Sequence, residues 1–226
     1  SDFNVSGICG YNSDGIIDEC DNYGTITGKR DATGITEMNN RSKIINCINY
    51  GEIIADMVSG EYYPSASGIV GNNYQSVIEN CINEGEVSAY NSSGICEYNE
   101  EDGVIRQCIN KGVISATDSS SDASGINGTN HGVIDKCNNE GTVSGGISNN
   151  NYATIMNCTN FGDVYVSSEG YYAAGIANRC SDYYREFVVE GCANSGNIMG
   201  GAKGAYIAGI ISGIDASSGV YSNNIN

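Results

Sequence analysis

Short stretches of alternating polar and apolar residues recur along the whole chain. In Cys81-Ile82-Asn83-Glu84-Gly85-Glu86-Val87, the residues Cys81, Asn83, Gly85 and Val87 fall on one side. That is the two-residue period of a β-strand, in which every second side chain shares a face. The pattern Cys-x-Asn-x-Gly-x-Ile/Val occurs seven times. Its cysteines are Cys20, Cys47, Cys81, Cys108, Cys137, Cys158 and Cys192, and its asparagines are Asn22, Asn49, Asn83, Asn110, Asn139, Asn160 and Asn194. A β-branched residue stands three positions before each Cys, from Ile17 to Val189. A Gly-Ile pair precedes each unit, at Gly7, Gly34, Gly68, Gly94, Gly125, Gly146 and Gly175, with an eighth at Gly209.

No 3.6-residue period competes with this alternation. Successive cysteines are 27, 34, 27, 29, 21 and 34 residues apart. The shortest unit is too short for a strand-helix pair with its loops, but it accommodates three short strands and their turns. The chain is therefore expected to be all-β: a single right-handed parallel β-helix of seven to eight rungs, with three short strands per rung and rungs beginning near residues 7, 34, 68, 94, 125, 146, 175 and 209. At about 4.8 Å per rung such a rod is on the order of 40 Å long. Stacking makes the Cys, Ile and Val columns a continuous core. It also lets the Asn amides form a ladder from rung to rung, with the following Gly permitting the tight turn. The opening at Ser1-Asp2-Phe3 reads as the middle of the pattern, so the chain is expected to be a fragment of something longer.

The units resemble the GLUG-type repeats of bacterial surface proteins, on pieces such as Ser67-Gly68-Ile69-Val70-Gly71-Asn72 followed by Val77 to Val87. The usual Gly-Gly-Ile entry of that family is mostly Ser-Gly-Ile or Ala-Gly-Ile here and survives at Gly145-Gly146-Ile147. Those repeats occur in adhesin-like proteins and in non-catalytic regions of immunoglobulin-A-type metallopeptidases. The resemblance implies a non-enzymatic repeat domain of a secreted or cell-surface bacterial protein, acting in adhesion, in ligand binding or as a rigid spacer. A host or cell-surface glycan or protein, and neighbouring domains of the same chain, are its implied partners. Two alternatives stay open: a polysaccharide-processing lyase or hydrolase built on a β-helix, and a purely structural stalk.

Composition sharpens this picture. Leu is absent and Pro occurs once, while Gly contributes 31 residues, which suits turns and strands rather than a helical core. A formal net charge of −17 makes a phosphate backbone or an anionic membrane a poor partner. No apolar run approaches the ~20 residues that cross a bilayer, so membrane insertion of this segment is not expected. Ten cysteines invite a metal or disulfide reading. However, seven in one column cannot all pair, and in-register side chains point the same way, so a stack of buried free thiols is expected. Cys9, Cys96 and Cys180 lie off that column. So many free thiols in an extracellular protein point to an anaerobic setting. There is no Cys-x-x-Cys, and His131 is the one histidine, so no metal or cofactor is expected.

The remaining candidates are carboxylates and tyrosines. Asp18, Glu79, Asp135 and Glu190 share the position two before Cys, with Arg106 in the fourth unit, which predicts an ion-paired stripe rather than a catalytic or calcium cluster. No catalytic residue is assigned. Length variation gathers between Cys and the next Gly-Ile, and insertions on a solenoid often carry its binding side. Tyr62, Tyr63, Tyr171, Tyr172 and Tyr206 lie in these insertions, and Tyr183 and Tyr184 in the long last unit. These rings are the candidate ligand-binding residues, because exposed Tyr offers large contact area at small entropic cost; the alternative is that they pack down on the solenoid flank.

Overall fold

The structure is a computed structural model that describes residues 4–56, 63–118, 122–166, 172–182, 186–200 and 205–226. It is a parallel β-solenoid of eight rungs. The second rung illustrates the unit: Asp31–Thr33, Thr36–Asn40, Lys43–Ile45, Ile48–Asn49 and Ile53–Ala55. Strands pair in parallel with their equivalents in the next rung, so five walls run along the rod, the first and fifth interrupted between Asn139 and Ser148. The second and third walls hold eight strands each and the fourth holds seven. Register is strict: Ile78 faces Ile44 and Ile105, and Asn83 faces Asn49 and Asn110. The last rung is completed without a cysteine. Its Asn224-Ile225-Asn226 takes the place of Cys192-Ala193-Asn194, with Ile225 bridging Ala193.

A full rung thus carries five short strands where three were expected. The chain breaks at corners that the alternation does not reveal. The residue before each ladder cysteine is left-handed, with φ of 55° at Asn46, 54° at Asn80, 56° at Gln107 and 54° at Lys136. Arg41 and Gln75, at 48° and 49°, do the same between the second and third walls. Non-Gly residues rarely adopt this conformation, so something must hold it. The side chain that follows reaches back to the carbonyl two residues earlier: Cys47 Sγ to Ile45 at 3.2 Å, Cys81 Sγ to Glu79 at 3.3 Å, Ser42 Oγ to Asn40 at 2.6 Å and Ser76 Oγ to Tyr74 at 2.8 Å. Ladder cysteines are therefore corner clasps as well as core residues.

The interior is divided in two. One apolar lobe holds the Ile and Cys columns, including Ile44, Cys47, Ile69 and Ile95. The other lies between the first and fifth walls around Ala32, Ile53, Ala66 and Val87. Between them the Asn ladder meets the glycine of the Gly-Ile pair: a Cβ on Gly68 would collide with the Asn83 amide, and one on Gly94 with that of Asn110. The glycine after the ladder Asn is equally confined, since a Cβ on Gly85 would strike the carbonyl of Gly51 in the rung before. Neither Gly68 nor Gly85 has positive φ, so these glycines serve close approach and not the turn freedom expected for them.

The ladder is continuous. Nδ2 donates to Oδ1 of the next rung at 2.8 Å from Asn22 to Asn49, 2.8 Å from Asn49 to Asn83, 2.9 Å from Asn83 to Asn110, 2.8 Å from Asn110 to Asn139 and 2.7 Å from Asn139 to Asn160. Its other hydrogen goes to the carbonyl two residues on, such as Asn83 to Gly85 at 2.9 Å. A second ladder runs in the second wall through Asn12, Asn39, Asn73, Asn99, Asn130 and Asn151. It ends where Asn151 donates to Cys180 Sγ at 3.9 Å.

Breaking a ladder strands buried groups on both sides. Asn110→Ala leaves the Asn139 oxygen and the Gly112 carbonyl without their donor, and should cost about 2–4 kcal/mol. Lys111→Ala, which removes the exposed 2.9 Å ion pair to Glu84, should cost under about 1 kcal/mol. Denaturant midpoints of the two variants will show the difference.

One buried carboxyl offers a second test. Glu37 lies over Gly71, where a Cβ would collide with it. Its Oε1 accepts from Asn72 Nδ2 at 3.3 Å and its Oε2 has no hydrogen-bond partner among the described residues. Burial, then the charge of Asp31, push its carboxyl up to about 7. The folded state therefore favours the protonated acid, and its contribution to stability is lost as pH rises from the ordinary carboxyl value of about 4.5 through about 7. Glu37→Gln should raise stability at pH 8 by on the order of 1–3 kcal/mol and change it little at pH 4. Equal effects at both pH values would contradict this account.

Candidate ligand-binding groove

The last three rungs build a groove of about 720 Å³ on the outer face of the second wall. Tyr152, Tyr172, Arg179, Ser181, Tyr206 and Asp215 line it, and Gly213 forms part of its floor. The register that makes the rod also makes the groove. Tyr172 of Tyr172–Ala174 sits directly opposite Tyr206 of Tyr206–Ala208, and their rings stack with centroids 5.5 Å apart at 16°. Arg179 of Ala177–Ser181 faces Gly213 of Ile211–Asp215, and Ser181 faces Asp215.

Gly213 is what lets the wall close. It stands in the column where other rungs place Tyr98, Thr129, Asn150 or Arg179, and a Cβ there would collide with the Tyr172 ring. Tyr172 consequently lies down beside Arg179, whose guanidinium carbon is 5.5 Å from the ring centroid. Such a contact orients the planar cation and contributes on the order of 0.5–1 kcal/mol near solvent. One rim of the groove is tied by Asp182, which accepts from Ser217 N at 2.8 Å, Ser217 Oγ at 2.6 Å and Ser218 N at 2.9 Å. The Ser217 hydroxyl, then the two backbone amides, hold the Asp182 carboxyl below its ordinary value. The groove therefore offers flat apolar rings, a guanidinium fork, hydroxyls and one carboxylate on fixed strands.

Two of the candidate tyrosines, Tyr172 and Tyr206, meet in this groove. Tyr63 does not: it lies beside the third rung, tilted against Tyr90 with ring centroids 4.3 Å apart, and is 62% exposed. Tyr62, Tyr171, Tyr183 and Tyr184 lie outside the described residues. The repeat pattern did not single out Tyr152, Arg179, Ser181 or Asp215. Their signal is the second Asn column, since each stands directly beside the position of Asn151 or its equivalents Cys180 and Ile214. His131 belongs to the same column as Tyr152 and stacks on it at 4.8 Å and 6°, a side-by-side arrangement invisible without the register.

The other expected features fall into place as structural ones. Glu79, Arg106 and Asp135 are successive partners across the third wall, with Arg106 2.8 Å from Glu79. All ten cysteines are free. Burial pushes the Cys81 and Cys137 thiols up, and at Cys47 and Cys192 the neighbouring thiol of the column does so first, with burial adding to it. At these four positions the thiol stays protonated and is a poor nucleophile. Among the described residues, no group of three His, Cys, Asp or Glu side chains is placed to hold a metal ion, and no helix is long and apolar enough to cross a membrane.

Comparison with protein-family models, curated proteins and solved structures finds no match to this chain.

Thiol accessibility checks the column directly. Cys9 and Cys20, at the open first rung, are half-buried and the other eight are buried. Ellman titration of the native protein without reductant should find those two reacting far ahead of the rest, and denaturant should release all ten. A denatured count well below ten would mean disulfides and would overturn the free-thiol column.

Proposed function

We propose that this chain is a non-enzymatic repeat domain of a secreted or cell-surface bacterial protein, a rigid rod that presents a ligand-binding groove in adhesion. The observation that carries the reading is the Tyr172–Tyr206 stack, held in register beside Arg179 and Asp215. Stacked rings with an adjacent planar donor and an acceptor suit a ligand that is apolar on its face and polar at its edge, as a sugar ring is. The two Asn ladders support the rod's part of the proposal, because they tie every rung to the next. The resemblance to GLUG-type repeats supports the cell-surface setting, and the ten free thiols support an anaerobic one.

A glycan array followed by titration of the best binder tests this. Tyr172→Ala combined with Tyr206→Ala should weaken binding by roughly tenfold or more while leaving the denaturant midpoint nearly unchanged. Release of reducing ends from a bound polysaccharide would replace the proposal with the enzymatic alternative. Failure to retain any glycan or cell surface would leave only the stalk.

A further inference from the structure

The groove is one end of a longer aromatic track. The second wall presents two outward columns to solvent, flanking its inward Asn ladder. Tyr11 and Tyr98 belong to the column before the ladder residue. Tyr74, His131 and Tyr152 belong to the column after it. The first, third, fourth, fifth and sixth rungs thus each place a ring on this face, and the seventh and eighth supply the Tyr172–Tyr206 stack beside it. Tyr11 is 55% exposed and Tyr74 45%, far from the groove and outside the insertions.

The track is also nearly uncharged. Within the two columns only Arg179, Glu100 and Asp215 carry a full charge. On the third wall, one outward column alone carries Asp18, Glu79, Arg106, Asp135 and Glu190. In a chain of net charge −17, a face with two acids and one arginine across eight rungs is suited to a neutral partner, while the whole-molecule field opposes an acidic one.

From this geometry we propose that the second wall binds a linear, neutral polysaccharide laid along the rod axis, with its end seated in the groove. Rings recur at multiples of the rung spacing of about 4.8 Å, parallel to the axis. A compact ligand would cover the groove alone. A chain of equatorially linked pyranose units is a flat ribbon with apolar CH faces and hydroxyl edges. It can meet one ring after another while its edges reach Asn72, Thr129 and Asn150 between them. Each ring then adds a weak contact within one tethered chain, so affinity grows with ligand length.

The inference rests on the groove being a ligand site, and the test separates the two. The probes are β-1,4-linked gluco- and manno-oligosaccharides from disaccharide to hexasaccharide, a soluble galactomannan, and polygalacturonate as the acidic counterpart. Calorimetry and affinity electrophoresis should show binding that tightens with length in the neutral series. Tyr11→Ala and Tyr74→Ala should each weaken long-chain binding by roughly three- to tenfold and leave the disaccharide untouched, with Tyr74→Phe restoring it. Tyr172→Ala should weaken both. Length-independent affinity, with binding still lost in Tyr172→Ala, would overturn the track and leave the groove standing. Tighter binding of polygalacturonate would overturn the neutral ligand class. No binding of any probe would overturn the track and remove its basis in the groove.

Discussion

A buried amide handed from rung to rung is the interaction on which the rest of this structure depends. Each Asn of the first ladder uses both Nδ2 hydrogens, one for the next Asn and one for its own rung, as Asn83 does toward Asn110 and Gly85. Buried amides are costly unless fully paired, so the ladder is stable only in one register. That register dictates the glycines: the Asn83 amide occupies the space where Gly68 would carry a Cβ. The pinch between them divides the core into two narrow apolar lobes, which is why Ile, Val, Ala and Cys fill it and no larger residue is common there.

Such an interior has no room for variation, and the differences between rungs are displaced to the outside. The inner positions repeat because each must match the rung before and after it. The outward positions are under no such restraint, and they are where the rungs differ. Strict parallel register then turns differences along the sequence into neighbours in space. Residues 34 apart, Tyr172 and Tyr206, become a stacked pair, and residues 21 apart, His131 and Tyr152, become another. A single change from a side chain to hydrogen, at Gly213, is enough to open a floor for the Tyr172 ring.

Much of the fold was legible in the chain, because its causes are local and repeated. Alternation of Cys, Asn, Gly and Ile/Val gave the strand period, and seven repetitions gave the parallel stack. The corners were not legible. Left-handed Gln107 and Lys136 carry no side-chain preference for that conformation, and only the clasp from the following cysteine accounts for it. For that reason five strands per rung were read as three.

The sequence by itself determined the solenoid, its rung boundaries, the thiol column and the first Asn ladder, since each depends on residue type recurring at a constant place. It also pointed to tyrosines as candidate binding residues, and two of them, Tyr172 and Tyr206, stack side by side along the groove. Only the tertiary structure decided that Tyr63 stands apart from them and that Arg179 and Asp215 join them. It also revealed the second ladder and the outward columns beside it. The physical reason is the same in each case. A groove is a relation between rungs, set by which residue of one unit lies over which residue of the next, and insertions of unequal length hide that correspondence until the hydrogen bonds fix it.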